Sequence, residues 1–305
     1  VLMLRSPRRS EFLAALAVIC GLLRAAPASA QDATAEGSEE AVGVTASAVV
    51  IPEGGASDGD AAIVSIGIRR GLADVPGIDF VHPVDALSPP AISEDLAFAF
   101  EELEPLRDQV RDGDARDVLQ RADALVEMFE ANLAAVRREQ LIDAYMLAAV
   151  ARCRLSRRRE CEEVMGRIVV FREGYEYDTT RFPEEYAEVF SRVRDETLSE
   201  ARASLEVRTE PEGAEVYVDG RSYGPSPVSV PDLLVGDHYV TIKHIAYEKT
   251  VVRATVERDG SSASYDLVPN ERSRLVASPE ALAAIRGELG EERAGSSIRS
   301  LGNTL

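Results

Sequence analysis

The chain has no tryptophan, three cysteines and three histidines, and aromatic residues make up 6% of it. A stacking platform for sugars or nucleobases is therefore poorly supplied, although nine Tyr remain. Basic residues are outnumbered, 34 Lys and Arg against 53 Asp and Glu, giving a net charge of −19. That balance argues against general nucleic-acid binding, which needs a basic footprint to neutralise phosphates. The acid excess lies beyond residue 30, because residues 1–30 carry Arg5, Arg8, Arg9 and Arg24 against Glu11 alone. It suits a soluble, self-repelling protein outside the cytoplasm, the plainer alternative being acidic surface faces alone. Membrane-length apolar runs are lacking too: Phe12 to Leu23 covers 12 residues, too few to span a bilayer. There is no phosphate-cradling glycine loop and no nucleophile elbow beside the scattered His82, His238 and His244. Glu210, Glu212 and Glu215 are close in sequence, but they read as an exposed hairpin without a pocket. The expectation is a protein with no catalytic residues, no metal site and no cofactor.

What is present begins with an export signature. Residues 1–30 read as a secretory signal peptide, with Arg5, Arg8 and Arg9 ahead of the apolar run and Ala28-Ser29-Ala30 as the cleavage site before Gln31. Cys20 invites a lipoprotein reading, but a small residue should precede a lipidated cysteine and Ile19 is large. The mature chain is expected to be exported, periplasmic or envelope-associated, with no transmembrane segment. The initial Val1 implies either an unusual start codon or a missing beginning, and the final run SSIRSLGNTL either a continuation into a longer protein or a frayed terminus.

Residues 31–41 are rich in Ala, Glu, Gly and Ser and read as a flexible leader. Residues 42–86 read as a small α/β unit. Val42 to Ile51 is a strand, and Ser57-Asp58-Gly59-Asp60 can cap a helix bearing Ile63, Val64, Ile66 and Ile68. Gly71 and Gly77 mark its end, and Ile78 to Val81 is a second strand. This strand–helix–strand pattern resembles the start of the TolB-like amino-terminal domain. Two strands and one helix cannot stand alone, so the unit must pack on something later or be degenerate.

Residues 93–203 read as helical throughout. Ser93 is an N-cap followed by Glu94 and Asp95, and Pro105 is expected to end or kink the helix. Asp112-Gly113-Asp114 separates it from a helix with Val118, Ala122, Leu125, Phe129 and Leu133 on one face. Later helices carry Leu141, Tyr145, Ala148 and Leu155, then Cys161, Val164, Met165 and Ile168. Pro183 is placed to open a last one with Tyr186, Phe190 and Val193. Short turns between such helices make antiparallel hairpins. The small-residue spacing Ala144, Tyr145, Ala148, Ala151 and Leu155 resembles a tetratricopeptide repeat, without its full signature. The alternatives are a concave protein-binding surface and a plain bundle.

Residues 204–269 read as an all-β module. Leu205, Val207 and Thr209 alternate with charged residues, and Ala214, Val216 and Val218 resume that period after Pro211-Glu212-Gly213. Asp219-Gly220 signals a hairpin, and Pro225 and Pro227 bracket an edge strand or loop. Gly236-Asp237-His238 turns into a strand from Tyr239 to Ile245, followed by strands at Lys249–Val256 and near Ser264–Val268. That makes about six short strands, at the spacing of a compact sandwich. These residues resemble the PEGA domain. Pro211-Glu212-Gly213-Ala214 is the name motif, and Val216, Val218, Asp219 and Gly220 match the run that follows. Gly224 and Pro227, then Gly236 and His238, match its later turns, while Ala246 stands where the family usually has Gly. The resemblance implies a binding or spacer module of bacterial envelope and surface proteins, and it brings no catalytic residues.

Three further features stand out. Cys153 and Cys161 flank a helix–helix turn and form a candidate disulfide, the alternative being two buried thiols. Arg152, Arg154, Arg157, Arg158 and Arg159 are a candidate docking patch for an acidic partner, the alternative being a solvated turn paired with the chain's own Glu residues. Tyr175, Tyr177 and Tyr186 are expected to pack between the helices and the β module. Residues 270–305 are a tail with a predicted helix at Pro279–Leu289.

The expected fold class is α+β multidomain: a small α/β unit, antiparallel tetratricopeptide-like hairpins, then a PEGA-like β sandwich. The expected function is non-enzymatic binding or scaffolding in the cell envelope, with a protein partner or a cell-wall component and no nucleic acid. The alternative is a regulatory or substrate-presenting subunit of an envelope enzyme complex.

Overall fold

The structure, a computed structural model, describes residues 16–22, 44–52, 57–73, 75–76, 78–87, 89–271 and 273. The expected cleavage site at Ala28–Ala30, the leader at 31–41 and the tail helix at Pro279–Leu289 lie outside the described residues.

The first unit is a three-stranded sheet of β1 (Leu16–Leu22), β2 (Val44–Pro52) and β3 (Ile78–Phe80), in that order. β1 runs antiparallel to β2, so in the uncleaved chain seven residues of the N-terminal apolar run are paired as a strand. β2 and β3 are parallel and are joined by α1 (Asp58–Ala73). Ser57 caps α1 reciprocally: its Oγ accepts from the Asp60 N–H, and Asp60 Oδ2 accepts from the Ser57 N–H at 2.9 Å. A short α2 (Pro83–Leu87) follows.

The helical region contains α3 (Glu94–Asp112), α4 (Ala115–Ala131), α5 (Arg138–Arg154), α6 (Arg158–Phe171) and α7 (Ala187–Leu198). Ser93 Oγ accepts from the Leu96 N–H and Asp114 Oδ1 from the Arg116 and Asp117 N–H groups, so both N-termini have satisfied donors. α5 is central, and every residue from Leu141 to Ala151 is buried. The chain departs from the sequence expectation in three places. Pro105 lies inside α3 without ending it, because the buried stripe Leu103, Leu106 and Val110 continues across it. Residues 172–183 form a loop, held by Arg111 Nη2, which donates to the carbonyls of Thr179, Thr180 and Phe182. Pro183 opens a 3-10 turn, Glu184–Tyr186, ahead of α7.

The C-terminal part holds β4 (Arg202–Glu210), β5 (Glu215–Val218), β6 (Arg221–Pro225), β7 (Val228–Leu234), β8 (Gly236–Lys243), β9 (Thr250–Val256) and β10 (Ser261–Asp266). They form one sheet ordered β10-β4-β7 and another ordered β6-β5-β8-β9. β10 is parallel to β4, and the other pairings are antiparallel. A single apolar core joins the two sheets, including Leu205, Val207, Val216, Val230, Val240 and Val256. β7 has no counterpart among the strands expected from the sequence, and it contains Pro231. It lies at the edge of its sheet, where a missing N–H is tolerated.

Candidate binding module and its junctions

The turn residues of the β module are fixed by backbone demands. Asp219 and Gly220 have φ of 50° and 80°, the left-handed pair that a tight hairpin between β5 and β6 requires. The peptide bonds before Pro211 and Pro227 are both cis. These two turns are tied together: the Gly213 N–H donates to the Ser226 carbonyl at 2.9 Å, the Ser226 N–H to the Ala214 carbonyl at 2.8 Å, and the hydroxyls of Thr209 and Ser226 bond each other. Glu212 lies in the first turn and Gly224 in β6.

Asp219 also reaches across to the Gly236–His238 turn. Its Oδ1 accepts from the Tyr239 N–H at 2.9 Å, and its Oδ2 lies 2.6 Å from His238 Nδ1. His238 Nε2 faces the Leu234 carbonyl at 2.8 Å, and the ring is buried. Burial alone would lower the His238 pKa, but the Asp219 carboxylate and the Leu234 carbonyl outweigh it, and the pKa is raised. Both ring nitrogens face acceptors, an arrangement suited to imidazolium. His238 therefore locks two motif turns together.

The module is docked on the helices. Gly236 has φ of 142°, and a Cβ there would sit 3.1 Å from Val170 Cγ1 of α6, so only glycine allows β8 to start so close to that helix. Tyr239 of β8 packs edge-on against Phe171, ring centroids 5.0 Å apart, and its hydroxyl lies 3.0 Å from that of Tyr145 in α5. The Tyr145 hydroxyl donates to Glu130 of α4, which also accepts from Arg253 of β9 at 3.2 Å. Burial pushes the Tyr239 hydroxyl up to about 12. Tyr175, Tyr177 and Tyr186, expected at this junction, instead pack inside the helical core, Tyr175 and Tyr177 against Phe190 at 5.5 and 5.7 Å. They precede and open α7, so they follow its burial rather than that of the strands.

The first unit meets the opposite end of the same sheet. Glu215 is buried, not exposed on a hairpin as the sequence suggested. Its Oε2 accepts from Arg69 of α1 at 3.1 Å and from the Tyr217 hydroxyl at 2.9 Å, and His82 Nε2 approaches its Oε1 at 3.5 Å. Arg69 also donates to the Tyr217 hydroxyl and to Ser222 Oγ. His82 Nδ1 accepts from the Val84 N–H, so a neutral His82 carries its proton on Nε2, toward Glu215. Asp85 of α2 bridges Lys243 and Lys249, at 2.5 and 3.1 Å. Burial works to raise Asp85, but these two ammonium groups hold it below its ordinary value. Burial lowers Lys243 in spite of Asp85. A cavity of about 60 Å³ remains between β2, α1 and this end of the module, with Ser65, His82 and Glu215 in its wall.

The remaining sequence candidates lie at the α5–α6 turn. Cys153 and Cys161 are joined as a disulfide with Cα atoms 5.3 Å apart. Each of the five arginines there has a partner in the chain. Arg152 pairs with Asp123 and Glu160, Arg157 with Glu160, Arg158 with Glu162 and Arg159 with Glu163. Arg154 donates to the carbonyls of Val110 and Gly113 and so closes the C-terminus of α3. Arg158 and Arg159 remain exposed, in pairs of the kind that add little stability. Sequence reasoning passed over Asp143, buried in α5, which bonds Arg107 of α3 and Arg181 of the 172–183 loop.

Among the described residues, no group of His, Cys, Asp and Glu could hold a metal ion, and no helix is long and apolar enough to cross a membrane. No curated protein matches the chain. Residues 202–270, from the first residue of β4 to the Asn270 that follows β10, match the PEGA domain.

Proposed function

We propose that this is an exported, non-enzymatic binding or scaffolding protein of the cell envelope. The PEGA match over residues 202–270 carries this reading. The β module, a two-sheet sandwich, contacts an envelope component or a second partner, while the tetratricopeptide-like hairpins contact protein. Two observations support the reading. The Cys153–Cys161 disulfide suits an oxidising compartment. The module is packed against helices through Gly236, Tyr239 and Phe171 instead of hanging on a free linker, as expected of a domain that holds a binding surface in place.

The test is fractionation of cells expressing the full chain. The expected result is a processed protein starting at Gln31 in the periplasmic or envelope fraction. An unprocessed protein retained in the cytoplasm would overturn the reading.

A further inference from the structure

Between the start of α5 and the β5–β8–β9 face of the module lies a cleft of about 350 Å³. Pockets of this size at domain junctions are where small molecules bind. Four cationic side chains line it: Arg137 and Arg138 from the helical side, Lys243 and Lys249 from the module. Their charges are incompletely answered. Lys243 and Lys249 share one carboxylate, Asp85. Arg138 donates to the Asp219 backbone carbonyl, which brings no charge. Among the described residues, Arg137 and Arg138 have no carboxylate partner. The two acids in the same wall are engaged elsewhere, Glu139 with Arg172 at 3.5 Å and Asp219 with His238 at 2.6 Å. A partly neutralised basic cleft in a chain of net charge −19 attracts anions and focuses them there. The rest of the lining includes Val136, Val251, Tyr217 and Tyr239. Those groups suit an organic body better than a bare ion.

We propose that this cleft binds a small organic anion, a carboxylate or phosphate group on a compact body. The anionic group meets Arg137, Arg138 and Lys249, and the body lies over the tyrosines. The site does not depend on the envelope reading, since binding can be measured whatever the chain's location.

Calorimetric titration of the full chain at low salt tests it, with inorganic phosphate, N-acetylmuramic acid and the uncharged N-acetylglucosamine as probes. One or both anions should bind, and N-acetylglucosamine should not. Phosphate binding alone would point to a phosphate ligand, and binding of the carboxylated sugar to a carboxylate ligand. The double variant Arg137→Gln, Arg138→Gln changes two exposed side chains and should keep its fold by circular dichroism. It should weaken anion binding by roughly tenfold or more, as loss of charge-assisted hydrogen bonds does. The control Arg158→Gln, Arg159→Gln alters charge elsewhere and should bind like the unaltered chain. No binding of either anion, or equal weakening in both double variants, overturns the proposal.

Discussion

The hydroxyls of Tyr145 and Tyr239 lie 3.0 Å apart across the junction between α5 and β8. Tyr145 passes its own proton toward Glu130, so Tyr239 is the donor to Tyr145. Two cores, one helical and one between the sheets, are thereby joined through one buried side chain, since Tyr239 belongs to the helical core although it sits in the module.

Replacing Tyr239 should separate the two cores. Tyr239→Phe keeps the ring against Phe171 and loses one hydrogen bond, at a cost of about 1 kcal/mol. Tyr239→Ala removes the ring and should cost about 3 kcal/mol or more. Calorimetric melting checks this. The Phe variant should melt in one transition slightly below the unaltered chain, and the Ala variant should show the module and the helices melting apart.

His238 makes the stability pH-dependent. Its folded pKa is raised, so its contribution is fully present below the unfolded value of about 6.5 and is lost as pH rises through the folded value. Urea midpoints of the chain and of His238→Gln should therefore differ most at pH near 6 and converge in mild alkali. An NMR titration should find His238 still protonated at a pH where an ordinary histidine is half neutral. A gap between the two proteins that widens with rising pH would contradict the Asp219–His238 assignment.

The disulfide closes a short loop, with a sequence separation of 8 between its cysteines. On loop-closure grounds its reduction should cost about 2 to 3 kcal/mol. Thiol labelling of the denatured, unreduced protein should leave Cys153 and Cys161 unmodified. Reduction should then lower the urea midpoint of the helices.

Much of the module was legible because its signals are local. Asp219-Gly220 needs only its own φ angles to make a hairpin, and Ser93 needs only its own hydroxyl to cap α3. What sequence missed depended on distant partners. Glu215 read as exposed because Arg69, which covers it, lies 146 residues away in the chain. Asp143 drew no notice because its arginines, Arg107 and Arg181, come from two other segments. Pro105 read as an end or a kink, and the end is absent because local propensity cannot register the buried stripe that continues through it. The cationic cleft is the extreme case, since its four positive groups come from α5, the residue before it, β8 and the β8–β9 turn.

Co-sedimentation with purified cell-wall sacculi tests the central claim most directly, using the full chain with the isolated module, residues 201–271, as competitor. The module has its own apolar core and a complete pair of sheets. The account predicts that the full chain pellets with the sacculi and that excess module displaces it. A chain that stays in the supernatant at low salt, with or without the module, would contradict envelope binding through residues 202–270.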